Sequence, residues 1–261
     1  MKFIHITDTH LVSPGETLYG LDPLARLEAC VADVNRRHAD AAFAIVTGDL
    51  THWGKVAAYD ALRGAFSRLA IPYRLCLGNH DERAAFLEAF PDTPVDPNGF
   101  VQSVIDHDAG RFILLDSKEP GDHGGILCGR RLGWLEARLA ERTDRPVYLF
   151  IHHPPFAVGL KQMDGHALRE PEAFAHVLGP HAHRIRHLFC GHLHRPLAGS
   201  WRGIPFSTMR GTNHQVALDF TVADHVPGSH EPPAYAVVLI DRDTVVVHFH
   251  DYMDESERFP L

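Results

Sequence analysis

Aspartate, asparagine and histidine residues follow five short apolar segments of the chain, each at the point where the segment ends. The five groups are Asp8-Thr9-His10, Gly48-Asp49, Gly78-Asn79-His80-Asp81, His152-His153 and Gly191-His192-Leu193-His194. Carboxylate and imidazole ligands together suit Fe, Mn, Zn or Co ions, and none of the five groups contains a cysteine. A metal ion held by such ligands polarises a substrate oxygen and lowers the pKa of bound water. These residue types therefore indicate a metal-dependent enzyme.

The apolar segments before these groups are typical of buried β-strands. They cover residues 3–7, 44–47, 74–77, 147–151 and 187–190. Because ligands bind at the carboxyl ends of the strands in an open α/β sheet, five strands that end in these residues bring them to one place. The chain contains 21 histidines, and His181/His183 and His248/His250 also form His-x-His pairs, so a single pair carries little weight. The prediction depends on all five strand ends together.

The composition is that of an ordinary globular protein of 261 residues, with 45% hydrophobic and 22% charged residues. Because the five groups span residues 8–194, we expect one domain over 1–261, in which 221–261 contributes a small cap or an oligomer contact. The net charge is −8, and no long run of Lys or Arg occurs. Since Lys and Arg neutralise phosphates in nucleic-acid complexes, we expect no nucleic-acid polymer as partner, whereas a small phosphate ester is compatible.

The first residues enter a strand directly, without the basic region and apolar core of a secretory signal. No apolar stretch approaches the roughly 20 residues that span a bilayer, so we expect no membrane association. The four cysteines, Cys30, Cys76, Cys128 and Cys190, are widely separated and form no Cys-x-x-Cys motif. We interpret them as reduced thiols that pack as small hydrophobic side chains. These features together predict a cytoplasmic protein.

The sequence between the groups alternates helices with strands. Asp22 and Pro23 favour the start of a helix, as N-cap and first helical residue, and apolar residues at helical spacing continue to about residue 38. Further helices are predicted over 55–70, 83–90 and 130–142. Further strands are predicted at 100–106, 111–116, 197–201, 204–208, 215–220, 235–240 and 244–250, with a long loop over 221–234. Parallel βαβ units followed by antiparallel strands predict an α/β fold, a four-layer αββα sandwich of two mixed sheets flanked by helices.

In their order along the chain, the motifs Asp-x-His, Gly-Asp, Gly-Asn-His-Asp, His and Gly-His-x-His resemble those of the calcineurin-like metallophosphoesterase superfamily. The similarity covers most of the chain. Within the superfamily, the chain resembles bacterial glycerophosphodiesterases, which are relatives of the class III cyclic-nucleotide phosphodiesterases. The residues that carry this closer similarity are Leu18-Tyr19-Gly20, His152-His153-Pro154-Pro155, Gln162-Met163-Asp164, Gly211-Thr212 and His214-Gln215. The superfamily fold is the αββα sandwich that the strand and helix pattern also predicts.

The resemblance implies two metal ions bridged by the Asp49 carboxylate. One site would be completed by Asp8, His10 and His194, and the other by Asn79, His152 and His192. Fe and Mn are the expected metals, with Zn or Co as alternatives. The neutral amide of Asn79 limits the negative charge that an anionic phosphate meets, and we expect it to contact the substrate as well. The implied nucleophile is a hydroxide held by the metals, so no protein nucleophile is needed.

Other residues near the motifs have further implied roles. The resemblance implies that His80 binds the phosphoryl oxygen or protonates the leaving group; a structural role outside the metal ligands is the alternative. Tyr19 is predicted to line the substrate pocket, and a packed loop aromatic is equally compatible with its position. His153 is not assigned to the metals. Asp81 is predicted to cap the helix over 83–90.

These inferences predict a metal-dependent phosphodiesterase that hydrolyses small diesters, either glycerophosphodiesters or 3′,5′-cyclic nucleotides. A phosphomonoesterase or nucleotide pyrophosphatase on the same site is one alternative, and a non-catalytic metal-binding interaction module is another. Ser/Thr protein phosphatases of the superfamily carry an Asp-Arg-Gly motif where this chain has His52-Trp53-Gly54. The arginine expected to hold a phosphomonoester dianion is therefore missing, which argues against a protein phosphatase. We also expect a homodimer or larger homo-oligomer, because the last strands and the 221–234 loop offer edges that a second copy covers.

Overall fold

The computed structural model describes residues 1–260, which contain thirteen β-strands and six α-helices. Along the chain the strands are β1 (Lys2–Ile6), β2 (Ala44–Thr47), β3 (Tyr73–Cys76), β4 (Ser103–His107), β5 (Gly110–Leu114), β6 (Val147–Ile151), β7 (Ile185–Cys190), β8 (Leu197–Trp201), β9 (Ile204–Thr208), β10 (Gln215–Val216), β11 (Gly228–Ser229), β12 (Tyr235–Ile240) and β13 (Val245–His250). The helices are α1 (Pro23–His38), α2 (Val56–Phe66), α3 (Arg83–Ala89), α4 (Gly129–Glu141), α5 (Lys161–Gly165) and α6 (Pro171–Leu178), and a 3₁₀ helix covers Gly179–Arg184.

Most strands belong to two mixed sheets. The first has the order β13-β12-β1-β2-β3, in which β1, β2 and β3 are parallel and β12 runs antiparallel to β1. The second has the order β4-β5-β6-β7-β9-β8, with a parallel centre and an antiparallel strand at each edge. Because the parallel strands of a sheet point the same way, their carboxyl ends lie at one edge.

The two sheets pack face to face through aromatic side chains. Phe3 on β1 contacts Phe112, Phe150 and Phe189 of the second sheet, with ring centroids 5.8, 5.8 and 5.5 Å away. The rings meet edge to face, an arrangement that contributes roughly 0.5–1.5 kcal/mol per pair beyond the area it buries. This apolar layer lies directly beneath the strand ends that carry the predicted metal ligands.

The helices cover the outer faces of the sheets. Asp22 caps α1 as predicted, because its carboxylate accepts a hydrogen bond from the Ala25 main-chain N–H at 3.1 Å. Buried residues of α1 and α2 belong to the core of the first sheet. The buried residues of α4 and α6 join a separate apolar cluster on the far side of the second sheet: Leu135, Leu139, Phe174 and Leu178. The predicted α/β fold, a four-layer αββα sandwich, is confirmed.

Several predicted boundaries differ from the structure. The helix predicted over 55–70 ends at Phe66, and residues 67–72 turn the chain into β3. The strand predicted over 215–220 contains only Gln215 and Val216, which pair with β11. The strands β12 and β13 lie in the first sheet, so they belong to the main body and not to a cap formed by 221–261. The strands predicted at 100–106 and 111–116 are present as β4 and β5, which pair in antiparallel orientation.

Asp81 does not cap α3, and this prediction is wrong. The N-cap of α3 is Glu82, and no side-chain hydrogen bond closes its N-terminus. Asp81 is buried instead and accepts main-chain hydrogen bonds from Gly78, Leu50 and Thr51 at 2.9, 3.1 and 3.1 Å. Burial raises the pKa of its carboxyl group to about 6. The residue ties the loop after β2 to the loop after β3, and both loops carry predicted site residues.

The four cysteines are free thiols, as the sequence predicts. Cys30, Cys76 and Cys190 are buried, and burial raises the pKa of each of these thiols. A raised pKa keeps a thiol protonated and unreactive, so these three residues act as packing side chains. Within residues 1–260, the helices are all too short or too polar to cross a lipid bilayer.

Candidate metal centre

The predicted site residues meet at the carboxyl ends of five parallel strands. They follow β1 (Asp8, His10), β2 (Asp49), β3 (Asn79, His80), β6 (His152) and β7 (His192, His194). Three of these strands belong to the first sheet and two to the second, so the site lies where the two sheets meet. All seven predicted ligands are buried, with exposed fractions of 7% or less. The structure brings all seven together.

One group of donor atoms comes from Asp8, His10, Asp49 and His194. His194 Nε2 lies 3.3 Å from Asp8 Oδ1 and 3.1 Å from His10 Nε2. His10 Nε2 lies 3.5 Å from Asp49 Oδ2. These four residues form a buried set whose donor atoms all lie within 4.8 Å of one another.

A second group comes from Asp49, Asn79, His152 and His192. His152 Nε2 lies 3.3 Å from Asp49 Oδ2 and 3.2 Å from Asn79 Oδ1. His192 Nδ1 lies 3.0 Å from the same Asn79 oxygen. In the described part of the chain, the buried Nε2 of His192 has no hydrogen-bond partner. Asp49 Oδ2 is therefore shared by the two groups.

The spacing of the donor atoms fits two metal ions. Ligands about 2.0–2.2 Å from an ion, at tetrahedral or octahedral angles, lie roughly 2.8–3.6 Å from one another. The donor pairs described above fall in this range, from 3.0 Å to 3.5 Å. Lone pairs that face one another at such distances repel unless protons or cations lie between them. The Asp and His cluster therefore fits a dinuclear metal site, to which Asp49 would supply the oxygen common to both donor groups.

Five of the ligand residues adopt a left-handed backbone conformation, which residues other than glycine rarely do. Their φ angles are 52° (Asp8), 45° (His10), 48° (Asp49), 69° (His192) and 47° (His194). Such conformations cost energy and persist only where the surrounding structure imposes them, typically at functional sites. Here they let the chain turn sharply at each strand end, which brings Asp8 and His10 into the same cluster.

The glycines of the motifs are required by the close approach of the loops. A Cβ atom on Gly78 would lie 2.2 Å from Asp49 Oδ1 and 2.4 Å from the Asp49 main-chain nitrogen. Any side chain at this position would displace the carboxylate that both donor groups share. Gly48 has a φ angle of 92°, and a Cβ there would lie 2.7 Å from His152 Nδ1.

In the metal-free protein, the histidines of the site titrate at very different pH values. Burial lowers the pKa of His192 to about 3 and holds the pKa of His10 well below its usual value. Burial also acts to lower the pKa of His152, but the Asp49 carboxylate outweighs it and raises this pKa to about 9. His152 is therefore protonated at neutral pH. Because a metal binds only an unprotonated imidazole nitrogen, metal binding is coupled to the release of a proton from His152.

Main-chain oxygens outside the predicted set orient two of the imidazole ligands. His152 Nδ1 donates to the main-chain oxygen of Thr47 at 2.7 Å, and His194 Nδ1 donates to that of His214 at 2.8 Å. With Nδ1 engaged as donor, Nε2 is the nitrogen left for a metal, and it is the Nε2 atoms that face the carboxylates. In the sequence, His214 appears only as part of a His-Gln pair. No pattern in the sequence indicates that its main-chain oxygen contacts His194.

His52 is a functional candidate that the sequence analysis missed. It is buried, its Nδ1 lies 3.0 Å from Nδ1 of the ligand His10, and its ring stacks on His80 at 4.5 Å and 18°. It thus contacts one predicted ligand and one predicted catalytic residue. The sequence analysis treated His52 only as a difference from the protein phosphatases, although its position three residues after Asp49 was an available signal.

His80 borders the site without completing either of the two donor groups. Its main-chain N–H donates to Asp49 Oδ1 at 2.9 Å, and its ring Nδ1 lies 3.0 Å from the main-chain oxygen of His52. The half-buried ring lines the cavity above the donor atoms. From this position, it can reach a group held over the metals, and its role toward a substrate stays a prediction.

His153 uses both ring nitrogens in contacts away from the two groups. Its Nδ1 lies 2.8 Å from Ser117 Oγ, and its Nε2 lies 3.2 Å from the main-chain oxygen of His123. It is buried next to His152 and His192, close enough for the three imidazoles to form a possible metal-binding set. Because both nitrogens are already engaged, we leave His153 outside the proposed ligands.

A cavity of about 250 Å³ opens above the donor atoms. Beyond the ligands, it is lined by imidazole, aromatic and apolar side chains: Tyr19, His52, His80, His123, Met163, His166, His214, Val216 and Val226. On the Tyr19 side, it continues into a second cavity of about 490 Å³ that His230 also borders. Tyr19 is 59% exposed, and its ring lies 4.6 Å from that of His214. Tyr19 therefore lies between the two cavities, next to the site.

The fold and the two donor groups define a class of protein, the metal-dependent phosphoesterases with an αββα sandwich. The sequence profile of the calcineurin-like phosphoesterase family matches residues 1–196, a range that includes all seven predicted ligands. The chain belongs to this family. The resemblance inferred from the motifs is thereby confirmed.

Three sequence relatives cover between 78% and 100% of the chain. A protein of Rhodopseudomonas palustris named as a probable cyclic nucleotide phosphodiesterase is 48% identical, over 100% of this chain and 96% of the relative. The glycerophosphodiester phosphodiesterase GpdQ of Enterobacter lignolyticus is 34% identical, over 83% of this chain and 79% of the relative. The 3′,5′-cyclic adenosine monophosphate phosphodiesterase CpdA of Escherichia coli is 30% identical, over 78% of this chain and 73% of the relative.

Solved structures share the fold at much lower sequence identity. A dimetal phosphatase from Danio rerio superposes with a TM-score of 0.71 at 17% identity, covering 95% of each chain. Purple acid phosphatase PPD1 from yellow lupin seeds superposes with a TM-score of 0.69 at 13% identity, over 98% of this chain and 52% of the lupin chain. At these identities, the similarity establishes the architecture alone.

Proposed function

We propose that the protein is a metal-dependent phosphodiesterase that hydrolyses small phosphate diesters, either 3′,5′-cyclic nucleotides or glycerophosphodiesters. The observation that carries the proposal is the pair of buried donor groups that share Asp49 Oδ2 beneath a cavity. The three relatives described above carry the names of phosphodiesterases for these two substrate classes. The metal ligands are Asp8, His10, Asp49, Asn79, His152, His192 and His194.

The residues around the donor groups have different roles in the proposed reaction. Two metal ions, when bound, supply charge stabilisation at the phosphoryl oxygens and activate a water molecule. The Asn79 amide and the His80 ring hold the phosphoryl group over the site, and His80 gives a proton to the departing oxygen. Tyr19, between the two cavities, contacts the alcohol portion of the substrate. The buried setting excludes bulk water and so strengthens each of these electrostatic contacts.

The charge of the cavity favours a diester over a monoester. None of the described residues that line it is Arg or Lys. A phosphomonoester carries close to two negative charges at neutral pH, and other enzymes meet them with arginine or lysine side chains. A diester carries a single charge, which the metal ions alone can balance. This favours diester hydrolysis over the phosphomonoesterase alternative.

Metal-stimulated hydrolysis of two chromogenic esters tests the proposed function. After removal of metals by a chelator and addition of Mn²⁺, we expect bis(p-nitrophenyl) phosphate to be hydrolysed with a higher kcat/KM than p-nitrophenyl phosphate. The chelated protein is the control and should be inactive on both esters. Faster turnover of the monoester would favour the phosphomonoesterase alternative, and metal binding without turnover of either ester would favour an interaction module.

We propose Fe and Mn as the metals that occupy the site in the cell. The donor set contains carboxylates, imidazoles and one amide oxygen, and no thiolate, a combination that suits these two metals and also Zn or Co. Elemental analysis of protein purified without added metal distinguishes them. A preparation that contains only Zn or Co would contradict this assignment and leave the dinuclear site unaffected.

We propose that the protein forms a homodimer or a larger homo-oligomer in the cytoplasm. The edge strand β13 presents Val246 and Phe249 with exposed fractions of 41% and 40%, and Leu239 of β12, which pairs with Val246, is 40% exposed. An edge strand with apolar side chains is a surface that natural proteins usually cover. Light scattering at micromolar concentrations should therefore give at least twice the 29.1 kDa mass of the chain. A monomer across that concentration range would contradict this prediction.

A further inference from the structure

Lys118 is a buried lysine directly behind the metal centre. It lies in the loop after β5, is 6% exposed, and places Nζ 2.7 Å from the main-chain oxygen of Asn79. Within residues 1–260, no carboxylate oxygen lies within 4.0 Å of this ammonium group. Burial of a charged group without a charged partner is costly, so the position of Lys118 needs a physical reason.

The oxygen that Lys118 contacts belongs to the same peptide group as the His80 N–H. That oxygen accepts from Lys118 Nζ, and that N–H donates to Asp49 Oδ1 at 2.9 Å. Because a peptide group is planar, a donor that fixes the oxygen also fixes the direction of the N–H. An ammonium group at the oxygen also polarises the peptide and strengthens its N–H as a donor. Lys118 thus acts on Asp49 through one peptide group.

The backbone of Lys118 is itself held by a buried ion pair. Asp116 and Arg83 form two hydrogen bonds with each other, at 2.8 and 2.9 Å. The Lys118 main-chain N–H donates to Asp116 at 3.0 Å, and its main-chain oxygen accepts from Arg83 at 2.9 Å. Arg83 begins α3, two residues after the Gly-Asn-His-Asp motif ends at Asp81. The ion pair therefore fixes Lys118 relative to the loop that it contacts.

We propose that Lys118 is a positioning residue of the metal centre. By fixing the Asn79–His80 peptide, it holds Asp49 Oδ1 on the His80 N–H and leaves Oδ2 as the oxygen that the two donor groups share. The same peptide joins the Asn79 amide to the His80 ring, so its orientation sets both relative to Asp49. The inference rests on the proposed dinuclear site, but its first test requires neither metal nor activity.

The first test is amide hydrogen exchange at His80 in the metal-free protein. Lys118→Met keeps the length of the side chain and removes its donor, so we expect the His80 amide to exchange about tenfold faster. Lys118→Arg keeps the charge and the donors and should stay within about threefold of the unmodified protein. Lys118→Gln, an uncharged donor, should lie between them. Amides of β6, in the interior of the second sheet, report any change in global stability.

The second test is calorimetric binding of Mn²⁺ alone. Loss of a contact that orients a metal ligand typically weakens metal binding about 10–100-fold, and we expect Lys118→Met to weaken it about tenfold. An effect of charge alone would instead make Lys118→Met bind Mn²⁺ more tightly, because removal of an ammonium group near a cation site strengthens cation binding. Lys55→Met makes the same chemical change at a half-exposed lysine that pairs with Glu16, and it should leave both measurements unchanged.

Two results would overturn the inference: unchanged His80 exchange in a folded Lys118→Met variant, or tighter Mn²⁺ binding by that variant. If Lys118→Met does not fold, the His80 exchange rate and the Mn²⁺ affinity of Lys118→Gln are compared with those of Lys118→Arg, and the same two results would overturn the inference. Faster His80 exchange and weaker Mn²⁺ binding in a protein that hydrolyses no diester would support the role of Lys118 while contradicting the proposed function.

Discussion

Replacement of Asp49 by alanine is expected to remove at least one metal ion and nearly all phosphodiesterase activity. Asp49 Oδ2 lies 3.5 Å from His10 Nε2 and 3.3 Å from His152 Nε2, so it is the one oxygen common to both donor groups. Without it, each ion would lose a ligand, and the repulsion between the two cations would be less well screened. The measurements are elemental analysis after gel filtration and kcat for bis(p-nitrophenyl) phosphate.

A matched control for this change is Asp60→Ala on α2. Asp60 is half-exposed and pairs with Arg63 on the same helix, so its loss should alter neither metal content nor turnover. Exposed pairs of this kind typically contribute less than about 1 kcal/mol to stability. Full metal occupancy and turnover in Asp49→Ala would show that the bridging assignment is wrong. Loss of both properties in Asp60→Ala would point to unfolding instead of a ligand effect.

His80→Ala is expected to keep both metals while lowering kcat by about 10²–10⁴-fold, the range typical of general acid–base catalysis. The metals should stay because the His80 ring completes neither donor group, and the contact to Asp49 Oδ1 comes from the His80 main chain, which alanine retains. The measurements are metal content and kcat on diesters with different leaving groups. His176→Ala, at an exposed position on α6, is the matched control.

The dependence of the kcat deficit on the leaving group distinguishes the two possible roles of His80, proton donation and stabilisation of the phosphoryl oxygens. p-Nitrophenolate departs without a proton, so the deficit of His80→Ala should be small for p-nitrophenyl diesters. Ribose and glycerol alkoxides need a proton, and their diesters should show the full deficit. Equal losses on both kinds of diester would instead indicate stabilisation of the phosphoryl oxygens. Loss of metal from the variant would make His80 a structural residue.

The strand ends and the fold class could be predicted because they depend on local sequence. A buried parallel strand is a short apolar run, and the polar residues that follow it must lie at the edge of the sheet. Boundaries that depend on contacts between distant segments were less predictable. The strand predicted over 215–220 is cut to Gln215 and Val216 because the chain leaves β10 to pair with β11.

The residues that surround the ligands were harder to predict than the ligands themselves. Asp81 precedes a helix, a position that favours capping. Its carboxylate oxygens instead accept hydrogen bonds from main-chain N–H groups of the loop after β2. His52 contacts His10 from a different strand end, and no local pattern records that contact. Main-chain donors and acceptors are the same at every residue type except proline, so the sequence cannot show which of them a side chain contacts.

The position of β1 determines when the site can assemble during synthesis. β1 pairs with β12 on one side, with Lys2 in register with Leu239, so β1 is translated well before the strand that pairs with it on this side. Contacts between such distant segments form slowly, because the intervening chain must close a long loop. Until β12 docks, the apolar strand before Asp8 and His10 has a free edge that other nascent chains can pair with. Stable metal binding is therefore expected only after β12 has been translated and has docked against β1.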